Sequence, residues 1–417
     1  MTQRHDLIAR LQAQLSHEMR AALQACLGFA TAQGIALYLV GGAVRDLMRG
    51  DPHVDLDLAL EGDAAMLASA VASAIGGRAV SHARFGTATL KAPDVQVDLV
   101  RTRRETYARP GALPDVEPAS LQEDLKRRDF TINAMALQLT LNPGELIDPF
   151  GGKLDLDGGL LRVLHEASFQ DDATRMLRAT RYAARLGFKI EPSTAEWLQR
   201  DLRFLEAISP MRLRRELELL WNEPSAVDAA LIAHNLGVLR SINACMFVSD
   251  FSAGRWRQAL SGEHFAPLDQ LGLCMMTHPI TGTQVEELVK RLRLTRPQEK
   301  AVRDFAALDN HAGDRLASLR FDPFAMSEAL EGKAPAAIWA LAYLSGEINE
   351  ECLLYLRDWR HLRPHLRGDD LVELGVSPGP AVGEMLKTLR AARLRGLAET
   401  REDELALVRS ELGNGEG

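Results

Sequence analysis

The 417-residue chain is long enough for about two to four domains with a large buried core. Its hydrophobic content of 46% and charged content of 25% are those of an ordinary globular protein, and no apolar run approaches the roughly 20 residues that span a membrane. A formal net charge of −8 argues against a protein held to nucleic acid by its overall charge, although it leaves room for local basic faces.

The cysteines and the N-terminal segment bear on the cellular compartment. The four cysteines are far apart, so they show neither zinc-ligand spacing nor a disulfide framework. Residues 1–20 are charged and lack an apolar signal core, and residues 5–33 predict one or two amphipathic helices. We therefore expect a cytoplasmic protein with no membrane partner.

A glycine pair follows the first predicted strand. The apolar run 35–40 is typical of a buried strand, and at Gly41 and Gly42 the backbone can turn sharply or approach a ligand closely. Residues 43–49 then predict a short helix with Arg45 in its first turn. The free N–H groups of such a helix suit a phosphate, so Gly42 and Arg45 are candidate phosphate-binding residues.

Two acids come next, in an alternating pattern. Asp55 and Asp57 alternate with apolar residues, which predicts a strand with both carboxylates on one face. Two carboxylates on a rigid face suit a divalent cation, and two such cations about 3.5–4 Å apart can promote nucleotidyl transfer. Asp55 and Asp57 are therefore candidate catalytic residues and metal ligands.

The order and spacing of the glycine pair and the two acids resemble the polymerase-β nucleotidyltransferase superfamily. Within it, the chain resembles the class II tRNA nucleotidyltransferases and the bacterial poly(A) polymerases. The resemblance implies an α+β fold, with a small mixed sheet and helices in the head and only helices after it. It also implies two Mg²⁺ ions, CTP and ATP as substrates, and the 3′ end of tRNA as partner.

The rest of the predicted head contains a third candidate acid. Residues 62–75 predict a helix, and three strands follow over 78–81, 87–91 and 95–100, the last two joined by a hairpin turn. The resemblance implies a third catalytic carboxylate, and Asp98 fits that position. Residues 101–122 predict a mobile loop, whose position alone resembles a family loop that switches specificity from C to A.

A second motif is matched over eight consecutive residues, Arg127-Arg128-Asp129-Phe130-Thr131-Ile132-Asn133-Ala134. The resemblance implies that Arg128 contacts the sugar or triphosphate of the nucleotide. Asp129 and Asn133 are four residues apart, and we expect a helix there that both residues stabilise.

Residues 169–188 predict a single helix with one polar and one apolar side, ended by Gly187. Asp172, Arg175, Arg178 and Arg181 recur every third residue along its polar side. Asp172 and Arg175 can offer an acceptor and a fork of donors to a base edge, and Arg178 and Arg181 can neutralise phosphates. In the family, the corresponding acid–arginine motif selects C and A. Here its first acid is aspartate, at position 171, rather than the commoner glutamate.

The C-terminal region shows a further likeness, to the tail of CCA-adding enzymes, which holds the tRNA. Pro378, Gly379, Pro380 and Gly383 precede a predicted helix over 384–397. Glycines at a helix start allow close approach of a phosphodiester backbone. The candidate RNA-binding residues are Gly379, Gly383, Lys387 and Arg390.

These features predict four parts: a catalytic head (1–147), a nucleotide-selecting neck (148–225), a helical body (226–305) and a helical, tRNA-binding tail (306–417). The favoured function is template-independent, metal-dependent addition of CCA to tRNA from CTP and ATP. Addition of only CC or only A, poly(A) synthesis and non-catalytic RNA binding remain as alternatives. The acidic net charge and the glycine–proline tail favour a tRNA enzyme over poly(A) synthesis. The sequence leaves the oligomeric state open.

Overall fold

The computed structural model describes residues 2–52, 55–82, 86–107, 109, 111–112, 114–311 and 313–413. The chain divides into two compact units. Unit 1 comprises Met1–Arg212 with Asn235–Ser241, and unit 2 comprises Leu213–His234 with Ile242–Gly417. The finer division into head, neck, body and tail stays a prediction.

Unit 1 begins with a mixed α and β region. Its elements are α1 (Thr2–Gln14), α2 (His17–Ala32), β1 (Leu37–Val40), α3 (Gly42–Arg49), β2 (Leu56–Leu60), α4 (Ala64–Ile75), β3 (Arg78–His82), β4 (Thr87–Ala92), β5 (Val95–Arg101), β6 (Arg103–Thr106), β7 (Asp115–Pro118), α5 (Leu121–Lys126), β8 (Ala136–Gln138) and β9 (Leu146–Ile147). The predicted N-terminal helices, the strands and the β4–β5 hairpin are confirmed.

Seven of these strands form one mixed sheet in the order β3-β4-β5-β2-β1-β8-β9. Only β2 and β5 pair in parallel, and the other neighbours are antiparallel. Along β2, Leu56, Leu58 and Leu60 are buried on one face, so Asp57 points to the other. Leu39 of β1 pairs with Leu58, which brings the end of β1 and its following glycines beside the start of β2.

The segment 101–122 contains regular structure, so its prediction as a loop is wrong. Strands β6 and β7 form a separate antiparallel pair, with Arg104 opposite Glu117 and Glu105 opposite Val116. Arg104 donates to Glu117 across the strand pair, which stabilises it, and to Glu123 of α5, which joins β6 to that helix. Ala108, Pro110 and Leu113, which belong to the predicted loop, lie outside the described residues.

The second half of unit 1 is mainly helical. It contains α6 (Gly152–Asp157), β10 (Leu160–Leu161), α7 (Ser168–Asp171), α8 (Thr174–Leu186), β11 (Lys189–Ile190) and α9 (Pro192–Asp201), with β10 and β11 paired in parallel. Helix α10 (Pro210–Trp221) begins in this unit and continues in unit 2.

Two predicted helices are wrong in detail. The second motif contains only the short 3₁₀ turn Thr131–Asn133, and Asp129 precedes it. Residues 169–188 form two helices, α7 and α8, and Asp172 lies between them in an extended conformation with ψ of 100°.

Unit 2 is helical wherever it is described with regular structure. Helix α11 (Ala226–Asn235) lies in unit 2 except for its last residue, and α12 (Val238–Ile242) lies in unit 1 except for its last residue. The further helices of unit 2 are α13 (Asp250–Ser261), α14 (Leu268–Met275), α15 (Gly282–Leu292), α16 (Arg296–His311), α17 (Gly313–Leu319), α18 (Pro323–Leu330), α19 (Pro335–Ser345), α20 (Asn349–Arg357), α21 (Gly368–Glu373), α22 (Pro380–Leu394) and α23 (Arg401–Gly413). Most of α19 is buried, including Trp339, and Leu371, Leu389 and Val408 form a smaller core nearer the C-terminus. The predicted α+β class with a helical remainder is confirmed. None of the described helices combines the length and the apolar character needed to cross a bilayer.

Candidate active site

The sheet places two acids side by side. Asp57 of β2 is the register partner of Asp98 of β5, so both side chains point to the same face. Asp98 is exposed and accepts a hydrogen bond of 2.7 Å from the Thr89 hydroxyl. Asp55 precedes β2, which begins at Leu56, so the prediction that Asp55 lies within the strand is wrong.

The surroundings of Asp57 disfavour its negative charge. Burial and the neighbouring charges of Asp98 and Asp55 together raise its carboxyl pKa to about 6, with burial as the largest cause. The positive charge of Arg128 opposes this shift without cancelling it. A carboxylate in such a position gains from any cation that binds beside it.

The glycine turn approaches Arg128 closely. Gly41 caps α3 with a φ of 71°, which glycine adopts without strain. A β-carbon at Gly41 would lie 2.4 Å from Nη1 of Arg128, so any larger residue would force the guanidinium of Arg128 to move. Gly42 is the first residue of α3, where a backbone N–H is available to an anion.

Arg45 is predicted to bind phosphate, but its side chain is more buried than a phosphate ligand is expected to be. Its side chain is only 3% exposed and donates to Asp46 over 2.7 and 2.8 Å. Its third contact is with the side-chain oxygen of Asn133, over 2.5 Å. These bonds tie α3 to the second motif, and a phosphate would have to compete with them.

A buried acid holds the two arginines of the second motif. Asp124 is fully buried, and it accepts from Arg127 over 2.8 Å and from Arg128 over 3.1 Å. Burial alone would raise the pKa of Asp124, but the two guanidinium groups keep it below its ordinary value. Arg128 also donates to the backbone oxygen of Asn133 over 3.4 Å. The predicted Asp129–Asn133 contact is present, at 3.0 Å.

The two predicted base-selecting residues have different surroundings. Asp172 lies two residues before α8 and accepts from the backbone N–H and the hydroxyl of Thr174, the first residue of this helix. Both its oxygens also accept from Nη2 of Arg212, over 2.9 and 2.8 Å. Arg175 is 5% exposed and donates to the backbone oxygens of Ser168 and Arg127. Both side chains are therefore held in fixed positions.

Arg178 pairs with an acid of the second motif. It donates to Oδ2 of Asp129 over 2.6 and 3.0 Å. Burial would raise the pKa of Asp129, but Arg178 and Asn133 hold it down to about 2. Arg181 is 8% exposed, and its guanidinium lies 5.2 Å from the ring centroid of Tyr182.

A cleft of about 260 Å³ brings part of the predicted set together. It is lined by Glu105, Tyr107, Arg127, Arg128, Asp129, Asp172, Arg175 and Arg178. The lining therefore combines the second motif with the start of α8. Gly42, Arg45, Arg181 and the acid pair do not line the cleft. Arg128 links the two regions, because it both lines the cleft and acts on the charge of Asp57.

The predicted RNA-binding residues lie in unit 2 on α22. Gly379 caps this helix with a φ of 103°, and Gly383 lies inside it, because the helix begins at Pro380 rather than at residue 384 as predicted. Lys387 pairs with Glu328 over 2.8 Å, and Arg390 pairs with Glu331 over 3.1 Å. Neither cation is a free positive charge in this structure.

Sequence reasoning missed two residues that organise the site. Asp124 lies three and four residues before the arginines that it holds, so helical spacing could have revealed it. Arg212 lies 40 residues after Asp172, and no local pattern connects them.

Comparison with known proteins agrees with this geometry. Residues 37–162 match the family model described as the poly(A) polymerase head domain. The A-adding tRNA nucleotidyltransferase of Halalkalibacterium halodurans is 34% identical over 383 residues, which cover 89% of this chain and 88% of that protein. The CC-adding enzyme of Deinococcus radiodurans is 34% identical over 90% of each chain.

A solved structure extends the likeness over almost the whole chain. The Thermotoga maritima CCA-adding enzyme in complex with tRNA superposes with a TM-score of 0.80 and 27% identity, over 97% of this chain and 98% of that one. The sheet, its paired acids and the glycine turn define a nucleotidyltransferase head. The chain belongs to the tRNA nucleotidyltransferase family.

Proposed function

We propose that this protein adds CCA to the 3′ end of tRNA, using CTP and ATP and no nucleic-acid template. The observation that carries the proposal is the register pairing of Asp57 with Asp98, next to the glycine turn and the cleft. An RNA-binding protein without catalysis would gain nothing from a charge that its own surroundings disfavour. The names and complexes of the family members support tRNA, CTP and ATP as substrates.

The three candidate acids have the right chemistry to bind a divalent metal ion. Carboxylate oxygens are the ligands that Mg²⁺ prefers; Asp57 and Asp98 supply them from one face of two neighbouring strands, and Asp55 precedes the first of these strands. Among the described residues, no group of three or more such side chains is already gathered around one point. When bound, two Mg²⁺ ions would lower the pKa of the terminal ribose hydroxyl and stabilise the departing pyrophosphate. We propose Asp55 and Asp57 as metal ligands and Asp98 as the third acid.

The remaining residues would bind and orient the nucleotide. Arg128 and Arg178 line the cleft with guanidinium groups that can pair with phosphate oxygens, and the N–H of Gly42 can add a further donor. Asp172 and Arg175 would contact the base edge.

Two of the predicted nucleotide-binding arginines, Arg45 and Arg181, do not line the cleft and would support the nucleotide indirectly. Arg45 and Arg181 are almost wholly buried, so they would contribute positive charge and would fix the surrounding elements. For the RNA, we propose Gly379, Gly383, Lys387 and Arg390 as contacts. The two cations would then have to exchange their acidic partners for phosphates.

Addition of A alone is the second candidate. It is supported by the A-adding enzyme of H. halodurans, which is 34% identical over most of both chains. The CC-adding enzyme of D. radiodurans has the same identity, so sequence identity does not rank these two alternatives.

Three tRNA substrates distinguish the candidates. They lack the last three nucleotides, the last two, or only the terminal A, and each is incubated with Mg²⁺ and labelled CTP, ATP or both. Complete addition on the shortest substrate supports the proposal. Incorporation of A only on the substrate ending in CC selects the second candidate, and a long A tail indicates poly(A) synthesis. No incorporation on any substrate would refute nucleotidyl transfer, and the double variant of Asp55 and Asp57 to asparagine serves as the inactive control.

A further inference from the structure

Tyr182, in the middle of α8, contacts four arginine side chains. The guanidinium carbons of Arg185, Arg181, Arg45 and Arg178 lie 4.7, 5.2, 5.3 and 5.4 Å from its ring centroid. Each distance is within the range of a cation–π interaction. We call these five residues the Tyr182 cluster.

The cluster joins three separate parts of unit 1. Arg45 comes from α3, directly after the glycine turn, and the other three arginines come from α8. The ring of Phe130, from the second motif, meets Tyr182 edge-on at a centroid distance of 5.8 Å. One aromatic ring therefore contacts the phosphate-binding turn, the second motif and the helix that lines the cleft.

Two of the arginines in the cluster also pair with acids outside it. Asp46 pairs with Arg45, and Asp129 pairs with Arg178. The negative face of an aromatic ring attracts guanidinium groups without neutralising their charge. Contact with the Tyr182 ring therefore leaves the guanidinium of Arg178 charged, and Arg178 lines the cleft.

We infer that Tyr182 is a positioning residue, which orients Arg178 toward the triphosphate of the nucleotide in the cleft and holds Arg45 and Arg181 behind it. The inference rests on the proposed function and adds a residue to it. For Arg178 the ring matters more than the hydroxyl, because the contact from Nη2 of Arg178 to the hydroxyl oxygen is long, at 3.4 Å. The hydroxyl also interacts with Arg45, which does not line the cleft. Tyr182 itself does not line the cleft.

The test compares Tyr182→Phe, which keeps the ring, with Tyr182→Leu, which removes it. Phe204→Leu is the matched control, because the Phe204 ring carries one guanidinium, that of Arg203, at 5.0 Å in the same unit and away from the cleft. ATP and CTP binding is measured by calorimetry without RNA, and KM and kcat are measured with tRNA. Urea unfolding shows whether each variant is folded.

For Tyr182→Leu we expect binding of ATP and CTP to weaken about tenfold and KM to rise by a similar factor. Its kcat should stay within about threefold of the wild-type value. Tyr182→Phe and Phe204→Leu should bind both nucleotides as the wild type does. Unchanged binding by a folded Tyr182→Leu, or an equal loss in Tyr182→Phe, would overturn the inference. Failure of the wild-type protein to bind ATP would also overturn the inference. If the wild type binds ATP with this dependence but extends no tRNA, the proposed function fails and the positioning role stands.

Discussion

Replacing Asp57 by asparagine should stabilise the metal-free protein while it removes nucleotidyl transfer. Burial and the charges of Asp98 and Asp55 raise the pKa of Asp57 from 3.8 to about 6. The folded state therefore binds this proton more tightly than the unfolded state does. The free energy of unfolding must fall as the pH rises from about 4 to about 6, and the loss is complete at higher pH.

The size of the effect follows from the shift. One pKa unit corresponds to about 1.4 kcal/mol, so a shift of about two units sets an upper bound of about 3 kcal/mol. Asp57 is partly accessible to solvent, which reduces this value, and we expect a gain of about 1–3 kcal/mol for Asp57→Asn at pH 8. At pH 4 the difference should nearly vanish, because the wild-type carboxyl is then protonated in the folded state.

Urea unfolding in EDTA at pH 4 and pH 8, followed by circular dichroism, measures this difference. Because the chain has two units, hydrogen exchange of peptides from β2 and β5 identifies the transition that belongs to the sheet. Asp115→Asn, on the exposed strand β7 of the same unit, is the control and should show no such gain. Mg²⁺ should stabilise the wild type more than Asp57→Asn. Equal stability at pH 8, or a gain that persists unchanged at pH 4, would refute the reasoning.

Three further variants test the cleft. Arg175→Ala should weaken the preference for CTP and ATP over UTP and GTP while leaving metal-dependent transfer, and the rates with the four nucleotides measure this. Gly41→Ala should lower activity by about two orders of magnitude, because the new β-carbon would lie 2.4 Å from Nη1 of Arg128 and the φ of 71° strains any side chain. Normal activity of this variant would show that catalysis does not depend on the close approach of Gly41 to Arg128. Asp129→Asn should raise KM about tenfold, because Arg178 loses its charged partner. Since the pKa of Asp129 is about 2, this pair should leave the wild-type KM constant between pH 5 and 8, which a pH series of KM values tests.

Local patterns predicted most of the elements that carry the site. The alternation around Asp57 predicts a strand, and Gly41 and Gly42 predict the turn before α3, because both signals act over a few residues. The pairing of β2 with β5 is different in kind. It joins Asp57 to Asp98 across 41 residues and in parallel, so no hairpin turn fixes its register. The position of Asp98 beside Asp57 came only from the family resemblance.

The break before α8 had a local signal that periodicity concealed. A repeat of three predicted Asp172 on the same helix as Arg175. However, aspartate is a strong N-terminal capping residue, and the Asp172 side chain accepts from both the backbone and the hydroxyl of Thr174. This local bond competes with helical continuation and ends α7. The contact with Arg212 then fixes the carboxylate from a distant part of the sequence.

The basic residues of α22 show why charge in a sequence does not identify a partner. The predicted RNA contacts Lys387 and Arg390 pair with Glu328 and Glu331, which lie 59 residues before them in the chain. The Lys387–Glu328 pair is exposed and adds little stability, so Lys387 can exchange its carboxylate for an RNA phosphate at small cost. Arg390 is only 15% exposed and also donates to Ser327, so its exchange costs more. In the proposed RNA contact, the gain from the exchange would come mainly from the release of ions bound to the RNA, so tRNA binding through Lys387 and Arg390 should weaken as the salt concentration rises. Under the proposed function, the same cations would stabilise the free protein through their ion pairs and would contact the tRNA only after exchanging them.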